Sequence, residues 1–197
     1  MFKEAGILIA ITLIAGILLG YVNELTKEPI AKQKKLQIEN ACKTVMADAS
    51  TFDEKEYVCD EATAAKLGEN RIKSGKVYEA KSESGDLLGY VIETTSPEGY
   101  GGDIVLYTGI DMEGTVKAVS ILSISETAGL GMNAESVLVP QFKDKNAERF
   151  TYTKNGATSD SEIDAISGAT ITTKAFTNAV NGALDVFRGL TGGESVE

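Results

Sequence analysis

The chain has 197 residues, 43% hydrophobic and 24% charged, which fits one globular domain of ordinary size with an appendage. Its formal net charge of −10 argues against nucleic acid as a partner, since the phosphates would be repelled. There is no histidine, which excludes a Ser-His-Asp triad, a histidine-ligated zinc or haem and a histidine general base, and two cysteines are too few for a cysteine-only metal or iron–sulfur site within one chain.

Residues 5–22, AGILIAITLIAGILLGYV, carry no charge. As a helix at about 1.5 Å per residue they span roughly 27 Å, close to the thickness of a bilayer's hydrocarbon core. A cleaved signal peptide fits less well. The basic flank before the run is Lys3 alone, the run is long for such a segment, and no small-residue cleavage site follows. Residues 1–23 are therefore expected to be a retained single-span membrane anchor. Lys27, Lys32, Lys34 and Lys35 follow the span, against Lys3 before it, and by the positive-inside rule that count places the following domain in the cytoplasm.

Residues 24–50 read as a polar stalk helix with scattered apolar positions and a kink or break expected at Pro29. A short helix is expected near residues 62–67. Cys42 and Cys59 can form a disulfide outside the cytosol or stand as two unrelated thiols, and their spacing does not decide between these.

From residue 77 the hydrophobic period changes to two. VYEAKSESGDLLGYVIETT forms two alternating runs around Ser84-Gly85-Asp86, and DIVLYTGIDMEGTVKAVSILSIS two more around 111–114. Turns this short imply antiparallel pairing. Between the pairs, SPEGYGG reads as a flexible loop, and ETAGLG, residues 126–131, as a turn. The final element, 171–190, is a helix with Ala175, Ala179, Ala183 and Phe187 along one face. A helix of this kind packed on the strands makes residues 51–197 an α+β domain with an antiparallel sheet.

The start of that helix, DAISGATITT, admits two readings. Ser167 or Thr170 can serve as an ordinary N-cap. Alternatively, small Gly168 and Ala169 leave room for a phosphate at the unpaired amides of the helix N-terminus, where Thr170 also presents a hydroxyl.

DAISGAT resembles the flavinylation motif of FMN-binding domains, Asp-x-x-Ser/Thr-Gly-Ala-Thr/Ser. ETAGLG resembles that family's Glu-Thr-Pro-Gly-Leu-Gly segment, with Ala128 in place of the usual proline. GYGG resembles its preceding loop, and the anchor and VNELTKEPI stalk stand in the same order. Across nearly the whole chain the resemblance is greatest to the G subunits of Rnf ion-translocating electron-transport complexes.

The resemblance implies FMN joined covalently to Thr170 through a phosphoester. Ser167, Gly168 and Ala169 would surround the phosphate, and Glu126, Thr127, Leu130 and Gly131 would lie near the ring or ribityl chain. It implies attachment by a separate flavin transferase that uses FAD and Mg²⁺ and releases AMP. It further implies an electron-transfer subunit of a ferredoxin:NAD⁺ oxidoreductase coupled to Na⁺ or H⁺ translocation, with other complex subunits as partners. No acid–base catalytic site and no metal site of its own are expected. The family places the soluble domain on the extracytoplasmic face of the cell membrane, against the lysine count. The C subunit of the Na⁺-translocating NADH:quinone oxidoreductase shares the motif and is the nearest alternative. A free-standing extracytoplasmic flavoprotein and a non-redox interaction module are others.

Overall fold

The computed structural model describes residues 2–192, so residue 1 of the expected anchor and residues 193–197 of the expected domain lie outside the described residues. The chain divides after Ile38 into two units.

The first unit is formed by helix α1 (Phe2–Val45), whose last turns belong to the second. Its early part has a mean hydropathy of 2.5 and is, by length and composition, long and apolar enough to cross a membrane. Ile7, Leu8, Leu13, Ile17 and Leu19 are all exposed. Pro29 lies inside α1 rather than ending it. Proline removes one helical hydrogen bond, and here the turns on either side continue.

The second unit is α+β. Five strands form an antiparallel meander in the order β1-β2-β3-β4-β5: β1 (Thr51–Lys55), β2 (Lys73–Lys81), β3 (Leu87–Ser96), β4 (Ile104–Asp111) and β5 (Val116–Ser123). Helix α2 (Glu61–Glu69) joins β1 to β2. The two expected hairpins form. In the first, Ser82 donates its N–H to the Asp86 carbonyl (2.9 Å). In the second, Asp111 Oδ1 accepts the N–H groups of Glu113 (3.0 Å) and Thr115 (2.9 Å), and Gly114 takes φ +81°. An aspartate closing a turn on backbone amides, followed by a glycine in the left-handed region, sets the reversal locally.

Sequence patterning misses β1, because TFDEK has no apolar alternation. It is an edge strand held by ion pairs to its neighbour: Asp53–Lys81 (2.9 Å), Glu54–Lys76 (2.7 Å) and Lys55–Glu79 (2.8 Å). Charges of this kind also keep a free sheet edge from pairing with other chains.

Beyond β5 the chain forms a short 3₁₀ turn, helix α3 (Ala134–Val137), a second 3₁₀ turn and two parallel strands, β6 (Thr151–Thr153) and β7 (Glu162–Asp164). Helix α4 (Thr170–Leu190) then packs its apolar stripe across the sheet. Tyr90 of β3 meets Phe187 edge-on (6.2 Å between ring centres), and Thr94 donates its hydroxyl to the Ala179 carbonyl (3.0 Å). Phe142 packs between Phe150 and Phe176 of the helix. Buried Asn181 of α4 holds both backbone groups of Phe150, donating to its carbonyl (2.9 Å) and accepting from its N–H (2.8 Å). That pair of bonds ties the segment before β6 to the middle of α4.

The last turns of α1 cover the other face of the sheet. A Cβ on Gly109 of β4 would run into the Val45 carbonyl oxygen, so this approach requires glycine. Cys42 is buried there and Cys59 is half-buried elsewhere, and both are free thiols.

Candidate functional site

The start of α4 opens onto a groove. Thr170 is the first helical residue, half-buried, and Ala169 is the N-cap with φ −130° and ψ 48°, without a side-chain capping bond. Neither Ser167 nor Thr170 acts as the cap. The nearest hydroxyl is one turn inside the helix: buried Thr173 donates to the Ala169 carbonyl (2.9 Å) and accepts the Ile166 N–H (3.1 Å). These bonds, with Ala169 N–H to Ile166 O (3.0 Å), shape a tight turn in which Gly168 takes φ +75°, the left-handed region that glycine enters without strain. The first α-helical bond recorded runs from Thr173 N–H to Ala169 O (3.0 Å). The amides of Thr170, Ile171 and Thr172 precede it, as the orphan donors of a helix start, and carry the positive end of the helix dipole.

Asp164, the first residue of the motif, is built into the neighbouring loop. Its Oδ1 accepts the Ala157 N–H (2.6 Å), while Gln141 accepts its N–H (2.7 Å) and donates to its carbonyl (3.1 Å). It therefore holds the motif in place from behind.

The groove has a volume of about 440 Å³. One wall is Gly168 to Thr172. The facing wall comes from the 126–131 segment through Glu126, Thr127, Leu130 and Gly131, and Tyr100 stands at the rim. Seven of the eight residues expected from the sequence thus meet around one space. Ser167 is exposed on the turn and lies outside the lining. Ile171 and Thr172 join the lining without a sequence signal of their own, and Tyr100 joins it from the GYGG loop, whose family resemblance flagged the loop but not this side chain.

Glu126 connects three segments. Its Oε2 accepts the Thr172 hydroxyl (2.8 Å) and its Oε1 accepts the Gly101 N–H (3.2 Å). The glycines around it are sites of close approach. A Cβ on Gly131 would lie 2.6 Å from Thr172 Oγ1, and one on Gly101 would run into the Ser125 carbonyl oxygen. The stretch SPEGYGG, expected to be a flexible loop, is instead packed backbone to backbone against the 125–126 segment. Glu98 adds an ion pair to Lys174 of α4 (3.8 Å).

A second groove, of about 450 Å³, lies by the end of α1, but its Lys117 and Asp144 already pair with each other (2.5 Å) and Asp111 closes the β4–β5 turn. The groove at α4 is the better candidate, because it combines unpaired amide donors with exposed apolar walls.

These features suit a phosphorylated, flat ligand. The groove lies within the range of about 300–1,000 Å³ usual for small-molecule sites. Its helix start favours an anion, and Leu130, Ile171 and Tyr100 offer apolar surface to a ring, being 41%, 53% and 71% exposed.

Comparison with known proteins agrees with this. The model of the FMN-binding domain matches residues 99–185, which include both glycine loops and the start of α4, and the model of the RnfG N-terminal region matches residues 1–45. The second unit is thus of the FMN-binding class. The chain is 32% identical to the G subunit of the Na⁺-translocating ferredoxin:NAD⁺ oxidoreductase complex of Acetobacterium woodii, over 97% of this chain and 93% of that one. It is 34% identical to the G subunit of the proton-translocating ferredoxin:NAD⁺ oxidoreductase complex of Clostridium ljungdahlii, over 92% and 88%. Over 82% of this chain and 79% of the other, it is 32% identical to the G subunit of the ion-translocating oxidoreductase complex of Escherichia coli. The chain belongs to this family of G subunits. The crystal structure of Shewanella oneidensis NqrC overlaps 59% of this chain and 61% of its own at a TM-score of 0.48 and 21% identity, too partial an overlap to bear on function.

Proposed function

We propose that this protein is a membrane-anchored electron carrier, with FMN joined by a phosphoester to Oγ1 of Thr170, and that it serves a ferredoxin:NAD⁺ oxidoreductase complex coupled to Na⁺ or H⁺ translocation. The observation that carries this reading is the uncapped start of α4, where Thr170 stands as the first helical residue at the edge of a groove. Near full-length similarity to G subunits supports it over the C subunit of the NADH:quinone oxidoreductase.

Each residue has a task. The amides of residues 170–172 receive the phosphate, Gly168 and Ala169 keep its approach clear, and Leu130 and Ile171 provide apolar surface for the ring. Bound there, FMN would supply reversible acceptance of one or two electrons, the redox chemistry that a carrier needs. Attachment is assigned to a separate flavin transferase. The Thr170 oxygen attacks the riboflavin-side phosphorus of FAD, the pyrophosphate bond breaks, AMP leaves and the hydroxyl proton is released. Residues 5–22 of α1 anchor the chain, and the second unit is placed on the extracytoplasmic face with the other subunits as partners.

The test is to co-express the full chain with a flavin transferase, denature it, and look for flavin fluorescence comigrating with the polypeptide. Wild type and Thr170→Ser should carry flavin, and Thr170→Ala none. A wild type without flavin, or a Thr170→Ala protein with as much as wild type, overturns the assignment and favours a non-redox interaction module. For sidedness, half-buried Cys59 should react with an impermeant thiol reagent in intact cells, whereas buried Cys42 should not. Labelling of Cys59 only after lysis would place the domain inside.

A further inference from the structure

We infer that Tyr100 is an aromatic wall of the flavin groove, and that Glu126 is the positioning residue that holds it there. The inference rests on the flavin being carried at Thr170.

Tyr100 is the exposed aromatic at the rim of this groove, with 71% of its surface open to solvent beside Leu130 and Ile171. A large ring left that open, next to a groove with apolar walls, has unused surface for a flat partner, and stacking on an aromatic of this kind favours such a partner over water.

The backbone beneath Tyr100 is held on both sides. Gly99 packs so closely that a Cβ there would run into the Gly102 carbonyl oxygen, and Gly101 lies directly against Ser125. Glu126 then closes the clasp. One carboxylate oxygen takes the Gly101 N–H beside Tyr100, and the other takes the Thr172 hydroxyl on α4. Through one bond on each carboxylate oxygen, Glu126 sets the distance between the Tyr100 loop and the helix start.

An adjacent phenol quenches flavin emission by a rapid electron exchange that returns to its starting state, so the geometry can be read without any turnover assay. The full chain, flavinylated and in detergent, is compared as wild type, Tyr100→Leu, Tyr100→Phe, Glu126→Ala, Glu126→Gln and the Tyr100→Leu/Glu126→Ala double variant. Emission is normalised to the flavin bound per chain.

Tyr100→Leu should emit several-fold more than wild type. Tyr100→Phe keeps a ring that is harder to oxidise and should also brighten, which supplies the reading if the leucine variant fails to take up flavin. Glu126→Ala should brighten with Tyr100 still present, Glu126→Gln should stay near wild type, and the double variant should be no brighter than Tyr100→Leu.

Unchanged emission in both Tyr100 variants with flavin attached overturns the stacking role and leaves Tyr100 as partner-facing surface. Brightening that adds in the double variant overturns the positioning role of Glu126. Absence of flavin from wild type is the separate failure, that of the Thr170 assignment.

Discussion

Replacing Gly131 by alanine adds one methyl group at the most crowded point of the site. The new Cβ would lie 2.6 Å from Thr172 Oγ1, 2.7 Å from Glu126 Cβ and 2.8 Å from Glu126 Oε2, where ordinary contact begins near 3.4 Å. Neither neighbour can easily retreat. Thr172 is buried on α4 (1% exposed), and the two side chains are bonded to each other at 2.8 Å. Relief therefore requires breaking a hydrogen bond to a carboxylate, or moving the 126–131 segment off the helix. The first costs about 1.5–3 kcal/mol and overpacking costs about 1–3 kcal/mol, and since they are alternative routes to relief the cheaper one sets the loss, about 1–3 kcal/mol. Gly129→Ala is the control. Nothing lies within 4 Å of a Cβ there, but φ is +77°, so only the left-handed backbone penalty of about 1–2 kcal/mol applies. The assay is urea unfolding of the full chain in detergent, followed by the near-ultraviolet circular dichroism of tyrosine. Of the seven tyrosines all but Tyr21 lie beyond residue 38, so the signal reports the second unit. In a Thr172→Ala background, which removes the nearest atom, the cost of Gly131→Ala should shrink. A Gly131→Ala loss under about 0.5 kcal/mol, the range of an ordinary surface change, or one that stays the same without the Thr172 hydroxyl, overturns this account of the crowding.

Thr173→Val should strip the Ile166 N–H of its acceptor, cost about 1–3 kcal/mol and lower flavin occupancy on Thr170, whereas Thr177→Val, which loses only a bond to the Thr173 carbonyl within the helix, should leave occupancy unchanged. Mass spectrometry of the intact chain reads both. A pH dependence is expected from Cys42, whose thiol is pushed up from 9.0 to about 12 by burial, with the charges of Glu39 and Glu93 adding to it. Native and unfolded chains both hold this proton below pH 9. Above it the unfolded chain releases the proton first, so stability is fully present below 9 and declines as pH rises towards 12. Unfolding measured across that window should show a shallower decline in Cys42→Ala than in wild type, and equal slopes would remove Cys42 as the cause.

Much of this protein is legible in one dimension because the relevant physics is local. An uncharged run of residues 5–22 sets the apolar start of α1, period-two alternation sets β2 to β5, and Asp111 and Gly114 close their own turn within a few residues. The stripe of 171–190 likewise defines α4, and the small residues of DAISGAT mark its start. What periodicity does not carry is contact between distant residues. Edge strand β1 is charged on both faces, and β6 and β7 are three residues each, too short to show a period.

The site shows the same division. From residue types alone, Ser167 or Thr170 is a reasonable cap. The fold decides otherwise, because Thr173 reaches back to Ile166 and Ala169 and leaves the helix start open. SPEGYGG reads as flexible because glycine permits many conformations, yet Gly101 is there to let its backbone meet Ser125. Glu126 and Thr172 are 46 positions apart, and no pattern in the chain pairs them. Local pattern was enough to specify α2, α4, the apolar start of α1 and the two hairpins, and the resemblance of DAISGAT to a family motif singled out Thr170. That Glu126 ties the Gly101 loop to Thr172, and that Tyr100 and Ile171 join the groove, came from three-dimensional packing alone, since it depends on which surfaces meet once every local element has formed.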